Sequence, residues 1–563
     1  MKKCLTFLLV AGTLLQGTLF AFAAKDKSDD GKGWNIIPVP AKIEKKSGKF
    51  VFKPTTQIVA TTPEVQAVAK TFAADFKRAT GLTLRISPKL VAGAIQLKLD
   101  KRVETGDEGY ELEVNSSRIS IVAKKPAGLF YGLQTVRQLM PPSIYAKKAI
   151  RDIKIWSVPA VKIVDQPRFG WRGAHIDAAR HFYSKEEILK FIDAMAWHKL
   201  NKFHWHFTED QAWRIEIKKY PELTKKGAWR SDILIRETGD RYVSKEITNH
   251  WNKQGQYGGF YSKKDAKEIV KYAKERFIDI VPEIEIPGHS SAAMYAYPEF
   301  SCDGRAPGWP ILGGGVYGKI YCAGKDTTLA FLENIFSEIC EMFPGEYIHI
   351  GGDEAPKGAW KNCADCQKRI KKEGLKNEEE LQSWMISYIQ KFLASKGRKI
   401  IGWDEITEGG IPKGCTVMHW REYTDKKIAP RAGEDLIVAT RPTCYYNWGY
   451  AKEDKSFMLS QGGIMPLKQA YNFEPIPRDL EEKYRKHVIG AQACFWGEKT
   501  PNEKILEYHY FPRMSCISEC TWSVPEKKNW EDFSRRLKTQ EKRYGYAEIN
   551  ARPLVLPPDY KPY

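Results

Sequence analysis

Two adjacent carboxylates, Asp353 and Glu354, stand out as residues that could carry chemistry. They follow an apolar segment, Tyr347 to Gly351, whose composition and closing glycine predict a strand that runs into a tight turn. Neighbouring side chains on an extended backbone point to different sides, so each carboxylate can act on a different substrate atom. Acids are also favoured in the first turn of a helix, which is the purely structural explanation of the pair.

The adjacency of the two acids limits the reactions they can perform. Paired carboxylates hydrolyse glycosidic bonds, and a retaining enzyme ordinarily places them about 5 Å apart on opposite faces of the sugar. Adjacent residues at one strand end do not naturally straddle a sugar ring. We therefore expect one acid to protonate the leaving oxygen while the other orients a nucleophile carried by the substrate, namely the carbonyl of a 2-acetamido group.

The chain beyond Pro167 alternates short apolar strands with amphipathic helices. The predicted strands are Gly173–Ala178, Lys202–Phe207, Asp279–Ile286, Tyr347–Gly351, Lys399–Trp403, Cys415–Trp420, Asp435–Thr440 and Val488–Phe495. The clearest helices between them are Lys185–His198, Lys263–Glu275, Thr327–Met342 and Asn377–Lys396. This order predicts an α/β fold, a (β/α)₈ TIM barrel. A doubly wound open sheet is the alternative, but no GxGxxG turn follows the first strand.

Each predicted strand is followed at once by a side chain suited to bind or hydrolyse a sugar. These residues are Arg180, Asp210, His289, Asp353 with Glu354, Trp403, Trp420, Tyr445 with Asn447, and Trp496 with Glu498. Each alone has an ordinary explanation, such as a core tryptophan or a solvated arginine. Core packing gives no reason for polar groups to recur at the same end of every strand, so we expect the residues to converge.

The remaining regions divide the chain into further parts. Residues 1–23 read as a signal peptide and 24–34 as a flexible leader. Short alternating strands and two helical stretches, Glu64–Thr80 and Ala127–Leu139, predict a small α+β domain at 35–150. The barrel is expected at 151–525, and a charged tail at 526–563.

The first residues predict export. Lys2 and Lys3 precede an apolar run from Leu5 to Phe20, which is followed by small residues typical of a cleavage site. A membrane anchor is the alternative, but the run is short for a span of about 20 residues. We therefore expect the protein in a periplasm or outside the cell, without a stable membrane span.

The charge and the cysteines carry less information about function. The formal charge of +20 favours anionic surfaces, but no basic block interleaved with aromatics indicates nucleic acid as a partner. Cys302 and Cys322 bracket a glycine-rich loop and form the first candidate disulfide. Cys363 and Cys366 have the spacing of a zinc or redox motif, but no second such motif accompanies them, so a local disulfide or free thiols is expected.

Four motifs in order resemble family 20 glycoside hydrolases, the β-N-acetylhexosaminidases. They are Trp171–His181, Pro282–His289, Ile350–Glu354 and Gly402–Glu405, and the resemblance covers about residues 35 to 525. It implies a small α+β domain before a catalytic barrel, and a glycan with a terminal N-acetylhexosamine as the substrate. It implies no metal or organic cofactor, and the oligomeric state stays open.

The resemblance also implies a role for each site residue. Glu354 is the general acid/base, and Asp353 orients the acetamido group as it closes onto C1 to give an oxazolinium intermediate. Burial or the nearby Asp353 charge is then expected to raise the pKa of Glu354 toward neutrality. The other matches are His289 and Asp210, which assist the acid; Tyr445, which holds the acetamido oxygen; Trp403, Trp420 and Trp496, which cover the apolar sugar face; and Arg180 and Glu498, which clamp the sugar hydroxyls.

Two positions depart from the family pattern. Glu285 stands where many relatives carry Asp, which moves a supporting carboxylate by one methylene. Asn447 stands where many relatives carry Asp close to the 4- and 6-hydroxyls. Asn at that position accompanies acceptance of 6-sulfated N-acetylglucosamine in this family, although its amide could simply keep the hydroxyl hydrogen bonds. Two other functions remain open: a non-catalytic carbohydrate-binding protein, and a barrel glycosidase with two carboxylates of its own.

Overall fold

The computed structural model describes residues 33–89, 91–230, 250–308, 316–454, 460–557 and 560. The predicted signal peptide lies outside the described residues. No helix within these ranges is both long and apolar enough to cross a bilayer.

A mixed seven-stranded sheet backed by two helices forms the N-terminal domain. Its elements are β1 (Lys42–Val51), β2 (Gln57–Val59), α1 (Pro63–Thr80), β3 (Arg85–Ser87), β4 (Ile95–Leu99), β5 (Tyr110–Val114), β6 (Ile119–Ala123), α2 (Pro126–Leu139) and β7 (Ser157–Asp165). The strands are ordered β1-β7-β5-β6-β4-β2-β3. Thr62 caps α1 and Gly81 ends it in a left-handed conformation, so this helix begins and ends at residues typical of helix caps.

The N-terminal domain extends further along the chain than the sequence prediction placed it. β7 pairs antiparallel with both β1 and β5, so residues 157–165 belong to this sheet and not to the barrel. The prediction ended the domain at residue 150 and so assigned this strand to the barrel region, because its partners β1 and β5 lie far away in the chain. The chain enters the barrel only at Trp171.

Eight parallel strands close into a barrel, as the sequence predicted. They are β8 (Trp171–Asp177), β9 (Lys202–His206), β12 (Asp279–Ile286), β13 (Tyr347–Gly351), β14 (Lys399–Trp403), β15 (Thr416–His419), β16 (Leu436–Val438) and β17 (Val488–Ala493). β17 pairs with β8 to complete the ring. A small antiparallel pair, β10 (Trp229–Arg230) and β11 (Tyr257–Gly258), lies in the connection after β9.

Three of the long barrel helices begin at side chains that cap them. Ser184 and Ser262 form capping boxes with Glu187 and Asp265, and Asn377 accepts from the Glu380 amide. The helices are α3 (Lys185–Trp197), α4 (Glu222–Lys225), α5 (Lys263–Lys274), α6 (Ser291–Ala296), α7 (Asp326–Met342), α8 (Gly358–Lys361), α9 (Ala364–Glu373), α10 (Glu378–Ser395), α11 (Ile428–Arg431), α12 (Leu467–Tyr471), α13 (Glu503–Tyr510) and α14 (Arg513–Trp522).

The predicted C-terminal tail contains a packed helix, α15 (Trp530–Tyr546). Arg536 pairs with Glu519 on α14 at 2.6 Å, and both side chains are almost fully buried. Arg543 donates to the backbone oxygen of Gln138 on α2 at 2.8 Å. The helix therefore ties the N-terminal domain to the barrel by charged contacts that hydrophobic patterning alone does not reveal.

The interior of the barrel is polar at its centre. Glu283 on β12 accepts from Trp403 at 2.8 Å and lies within 3 Å of nitrogens of His204 and His349. Burial alone would raise the pKa of Glu283, but the neighbouring imidazoles of His349, His206 and His204 hold it well below its ordinary value. The network fixes the orientation of Trp403, which lies directly beneath the site.

Candidate active site

The residues that follow the barrel strands meet at the carboxyl end of the barrel, where such folds carry their sites. Trp403, Trp420, Tyr445 and Trp496 belong to one buried cluster. The rings of Trp403 and Trp496 lie 5.6 Å apart, those of Trp420 and Tyr445 6.3 Å apart, and those of Tyr445 and Trp496 6.2 Å apart. The predicted aromatic residues therefore lie together. Trp403 is fully buried and forms the floor, whereas Trp420 and Trp496 retain some exposure.

Glycines at the end of β13 bring the two adjacent acids into the site. Gly351 has a φ of 67°, and a methyl group built there would overlap the Glu285 carboxylate. Glu354 itself has a φ of 48° and His289 a φ of 44°, values that L residues adopt at a cost of about 1–3 kcal/mol each. Strained backbone at these two positions indicates that the surrounding structure holds them for function.

His289 connects four carboxylates. Its Nδ1 lies 3.1 Å from Oε2 of Glu209 and 3.2 Å from Oδ2 of Asp210. Its Nε2 lies 3.7 Å from Oδ2 of Asp353 and 3.5 Å from Oε2 of Glu354. Burial opposes the charged imidazole, but the carboxylates of Glu209 and Asp210 raise the pKa of His289 well above its ordinary value. His289 is therefore a cation at neutral pH.

The two adjacent acids have opposite pKa shifts. Burial raises the pKa of Asp353 to about 7. The hydrogen bond from His289 lowers the pKa of Glu354, whose side chain is 40% exposed. The expectation that the pKa of Glu354 is raised is therefore wrong for the ligand-free site. The two acids differ because Asp353 is the buried one, whereas Glu354 faces solvent and an imidazolium.

Asp210, predicted to lie behind His289, does so. Its Oδ2 faces the imidazole, and its Oδ1 accepts from the backbone amide of Ser291 at 3.0 Å and from the Ser291 hydroxyl at 2.5 Å. Three polar groups therefore position this buried carboxylate.

Arg180 and Glu498 lie on neighbouring strand ends at the side of the aromatic cluster. Arg180 pairs with Asp177 at 3.1 Å and with Glu209, and its guanidinium lies 5.3 Å from the Trp496 ring. Its Nε lies 3.9 Å from Oε1 of Glu498. Burial raises the pKa of Glu498 despite the opposing charge of Arg180. The predicted clamp pair is therefore brought together.

Several buried polar atoms in the site lack hydrogen-bond partners among the described residues. They are Oδ1 of Asp353, both side-chain amide atoms of Asn447 and Oε2 of Glu498. Asn447 is only 2% exposed. Unpaired buried polar groups are costly in a folded protein, so their clustering at one end of the barrel marks a place where a polar ligand binds.

Tyr445 keeps its hydroxyl proton throughout the physiological range. Burial is the first cause that raises its pKa well above the ordinary value, although Arg441 opposes the shift. The Arg441 guanidinium covers Trp420 at 4.7 Å and lies 5.8 Å from the Tyr445 ring. Tyr445 is therefore a hydrogen-bond donor to an acceptor that enters the cluster.

Sequence reasoning assigned no role to Glu209 and Glu405 of this site, and it gave Glu285 only a supporting one. Glu209 contacts both Arg180 and His289, and its position beside Asp210 at a strand end was the available signal. Glu285 is buried next to Asp353, and burial followed by the Asp353 charge raises its pKa well above the ordinary value. Glu405 accepts from Trp420 Nε1 at 2.9 Å. These three residues contact the catalytic acids, His289 and the aromatic cluster. In the sequence, only the motif residues next to them pointed to the site.

The site offers acids, a cation and an aromatic cup, which together fit acid-catalysed cleavage at a sugar carbon. Groups such as His289 with Asp353 and Glu354 approach closely enough to hold a metal ion. Both ring nitrogens of His289 already face carboxylates, so the geometry fits an ion-pair network as well as a metal site.

Comparison with family models matches two parts of the chain. Residues 169–525 match the catalytic domain of glycosyl hydrolase family 20, and residues 34–166 match domain 2 of the same family. The junction between the two matches coincides with the end of β7.

Individual relatives agree with this assignment. A β-hexosaminidase of Porphyromonas gingivalis is 39% identical over 521 residues, which are 92% of this chain and 64% of the relative. The chain thus spans about two thirds of that relative's length. The solved structure of the Streptomyces coelicolor family 20 β-N-acetylhexosaminidase is 29% identical with a TM-score of 0.79, covering 93% of this chain and 98% of that one. The solved structure of a Vibrio harveyi exo-β-N-acetylglucosaminidase with bound N-acetylglucosamine is 28% identical with a TM-score of 0.79. The match covers 92% of this chain and 78% of the Vibrio chain. The chain therefore belongs to glycosyl hydrolase family 20.

Proposed function

We propose that this protein is an exo-acting β-N-acetylhexosaminidase that removes terminal N-acetylglucosamine or N-acetylgalactosamine from glycans with retention of configuration. The observation that carries the proposal is the contrast between the two adjacent acids. Oδ1 of Asp353 is buried without a partner among the described residues, whereas the Glu354 carboxyl is exposed at the mouth of the site. One acid is thus placed to bind a group inside the pocket and the other to meet the leaving group.

In the first step the substrate supplies its own nucleophile. The carbonyl oxygen of the 2-acetamido group attacks C1, the bond from C1 to the glycosidic oxygen breaks, and Glu354 gives its proton to that oxygen. Asp353 accepts the acetamido N–H and stabilises the positive charge of the resulting oxazolinium. Tyr445 donates its hydroxyl to the acetamido oxygen, and the aromatic cup of Trp403, Trp420 and Trp496 covers the apolar sugar face and the methyl group.

In the second step the same groups act in reverse. Glu354, now a carboxylate, takes a proton from a water molecule that attacks C1 from the face the leaving group vacated. The bond from C1 to the acetamido oxygen breaks, and the acetamide is restored. Two inversions at C1 give net retention.

Substrate binding must shift the proton within the pair, because the free site favours it on Asp353. The acetamido N–H donates to Asp353 and so favours its carboxylate form. The leaving sugar covers the exposed face of Glu354, and this loss of water favours its neutral form. The substrate thereby places the proton on the acid that the first step requires.

Exo action is supported by the far end of the site. Glu498 and Asn447 present polar atoms that have no hydrogen-bond partner among the described residues, and Gln461 donates to Oε1 of Glu498 at 2.6 Å. The hydroxyl groups of a terminal sugar would bond to these atoms and to Arg180, so the site fits the non-reducing end of a glycan. The Vibrio harveyi relative is described as an exo-enzyme, which agrees with this arrangement.

Acceptance of 6-sulfated N-acetylglucosamine is proposed on the neutral amide of Asn447. An aspartate there would repel a sulfate, whereas the Asn447 amide offers N–H donors that have no partner among the described residues. The overall charge of +20 adds a long-range attraction for sulfated glycans.

Export to a periplasm or the extracellular space is proposed on the basic and apolar pattern of residues 1–23. Cell fractionation with N-terminal sequencing tests this point, and protein that stays in the cytoplasm with Met1 uncleaved would refute it.

Product analysis tests the proposed function. Purified protein is mixed with a chitin oligosaccharide and with the same oligosaccharide blocked at its non-reducing end, and the products are followed by proton NMR. We expect initial release of the β-anomer of N-acetylglucosamine from the free oligosaccharide alone. Initial release of the α-anomer would indicate an inverting pair of carboxylates, and binding without release would indicate a carbohydrate-binding protein.

A further inference from the structure

Four cysteine sulfurs meet beside the loops that carry the acids of the site. Cys322 Sγ lies 3.6 Å from Cys366 Sγ and 3.7 Å from Cys363 Sγ, and Cys302 Sγ lies 3.9 Å from Cys366 Sγ. All four sulfurs lie within 4.8 Å of one another. The ten described cysteines are free thiols, so the predicted pairing of Cys302 with Cys322 is not formed. We name these four residues the cysteine cluster.

The spacing of the sulfurs matches a metal tetrahedron. Zinc binds thiolates at about 2.3 Å, so two sulfurs of a tetrahedral site lie about 3.8 Å apart. The sulfur–sulfur separations of 3.6, 3.7 and 3.9 Å surround this value. Sulfurs joined in a disulfide lie about 2.05 Å apart, and two separate disulfides do not require all four sulfurs to lie within 4.8 Å of one another.

The backbone around the cluster is shaped to hold thiolates. The Gly324 amide hydrogen-bonds to the Cys322 sulfur, as supporting amides do around metal-bound thiolates. A side chain at Gly324 would overlap the backbone of Asp365 and Cys366, so only glycine permits this approach. Cys302 and Cys363 also line a surface cleft, which provides an ion with a route to the cluster.

Cationic groups surround the cluster. The Nζ of Lys325 donates to the backbone oxygen of Ser301 at 2.7 Å, and Nη2 of Arg369 donates to the oxygen of Gly324 at 3.3 Å. A divalent ion with four thiolates carries a net charge of about −2. Lys325 would offset part of this charge, and so would Arg369, which also pairs with Asp326 and Glu373.

The cluster joins two barrel loops. Cys302 and Cys322 belong to the loop after β12, whose Tyr321 amide donates to the Pro287 oxygen at 3.0 Å, two residues before His289. Cys363 and Cys366 belong to the loop after β13, which begins at Asp353 and Glu354. Trp360 also donates across the two loops, to the Tyr321 oxygen at 2.9 Å. A shared ion would therefore clamp the segment behind His289 to the segment behind Glu354.

We propose that Cys302, Cys322, Cys363 and Cys366 bind a structural zinc ion in a tetrahedral four-thiolate site. Binding replaces four thiol protons by one divalent ion, and the protons are released to solvent. The closed ligand set leaves no open position, so the ion has a structural role and stays outside the glycosidase chemistry. Sequence spacing concealed the site because the ligands come from two loops that the barrel brings together, and only Cys363 and Cys366 form a recognisable motif.

Metal and thiol analysis of the purified full chain tests the proposal. The protein is prepared without chelator from cells supplied with zinc, and its metal content is measured by mass spectrometry. Unfolded samples are then alkylated with and without prior reduction. We expect about one zinc per chain and all four cysteines alkylated without reduction. Cysteines alkylated only after reduction, with no zinc present, would show two disulfides and overturn the proposal.

Refilling and variants remove the remaining ambiguity. The chelated wild-type chain is titrated with cobalt, whose tetrahedral thiolate complexes absorb visible light. The variant with both Cys363→Ser and Cys366→Ser should lose zinc and the cobalt absorption, whereas Cys340→Ser on α7 should keep both. If the double variant does not fold, the wild-type zinc and cobalt measurements still decide. Free thiols that take up neither metal would refute the site.

Discussion

Nε2 of His289 lies 3.5 Å from Oε2 of Glu354, so a buried cation faces the acid that must donate a proton. The same imidazolium lowers the pKa of Asp353, whose burial otherwise dominates. His289 thus controls the proton affinity of both acids from one position. Its own charge is maintained by Glu209 and Asp210 on the other side of the ring.

Removing this cation should move the pH dependence of the free enzyme. One proton on the pair of acids is needed for turnover, and Asp353 holds it with a pKa of about 7. We expect kcat/KM of the wild type to fall as the pH rises through about 7. In His289→Gln both acids lose the charge that lowers their pKa, so this alkaline limb should move to higher pH. His487→Gln, at the opposite end of β17, is the control. An unchanged limb in His289→Gln would contradict the assigned role.

The two adjacent acids should respond differently to the leaving group. Glu354→Gln removes the proton donor, so kcat/KM should fall by roughly 10²–10⁴-fold with a poor sugar leaving group and much less with an activated aryl group. Asp353→Asn removes the stabiliser of the oxazolinium and should lose activity with both. Steady-state kinetics on an aryl glycoside and on chitobiose measure this. Normal aryl-glycoside activity in Asp353→Asn would show that Asp353 has no such role.

The ionised side chain of Asp353 should lower the free energy of unfolding, by an amount that depends on pH. Its pKa in the folded chain is about 7, raised above the usual 3.8, so the folded chain holds this proton more tightly than the unfolded chain. The ionised side chain therefore destabilises the fold above about pH 7, and the cost disappears as the pH falls toward 3.8. Asp353→Asn should gain about 0.5–2 kcal/mol at pH 8 and little at pH 4.

Thermal unfolding at the two pH values measures this gain. Asp425→Asn, at an exposed position, serves as the control and should change little at either pH. A loss of stability in Asp353→Asn at pH 8 would mean that the ionised carboxylate is well accommodated in the free site.

The proposed acceptance of 6-sulfated N-acetylglucosamine rests on Asn447. An aspartate there places a negative charge next to the sugar 6-position, so Asn447→Asp should reduce kcat/KM for 6-sulfated aryl N-acetylglucosaminide about tenfold or more relative to the unsulfated substrate. Asn362→Asp, on the surface, should leave the ratio of the two substrates unchanged. If Asn447→Asp also leaves that ratio unchanged, the amide keeps ordinary hydroxyl contacts and has no part in sulfate acceptance.

The sequence predicted the barrel well because each strand carries its own local signal. β12, β13 and β14 have the predicted bounds, and the predicted helices agree within two residues at each end. The strand-end residues were predicted for the same reason, since a polar side chain directly after an apolar strand can be recognised from the sequence alone. β7 was misplaced because its partners, β1 and β5, lie far away in the chain.

What the sequence could not predict depends on contacts between distant segments. The pKa of Glu354 was expected to be raised, but it is lowered because His289 lies close to the Glu354 carboxylate. His289 follows β12, whereas Glu354 follows β13, so the sequence does not show this contact. The cysteine cluster was equally hidden, because Cys302 and Cys322 meet Cys363 and Cys366 only through the closure of β12 on β13.

Inhibition by a thiazoline analogue of the oxazolinium tests the substrate-assisted reaction most directly. The analogue carries the bicyclic ring that the acetamido group forms with C1, and Asp353 and Tyr445 are positioned to bind that ring. We expect its inhibition constant to lie at least about 10²-fold below the KM of the matching aryl N-acetylglucosaminide, as for a transition-state mimic. Asp353→Asn should weaken this inhibition sharply. An inhibition constant equal to or above KM would contradict a nucleophile supplied by the substrate.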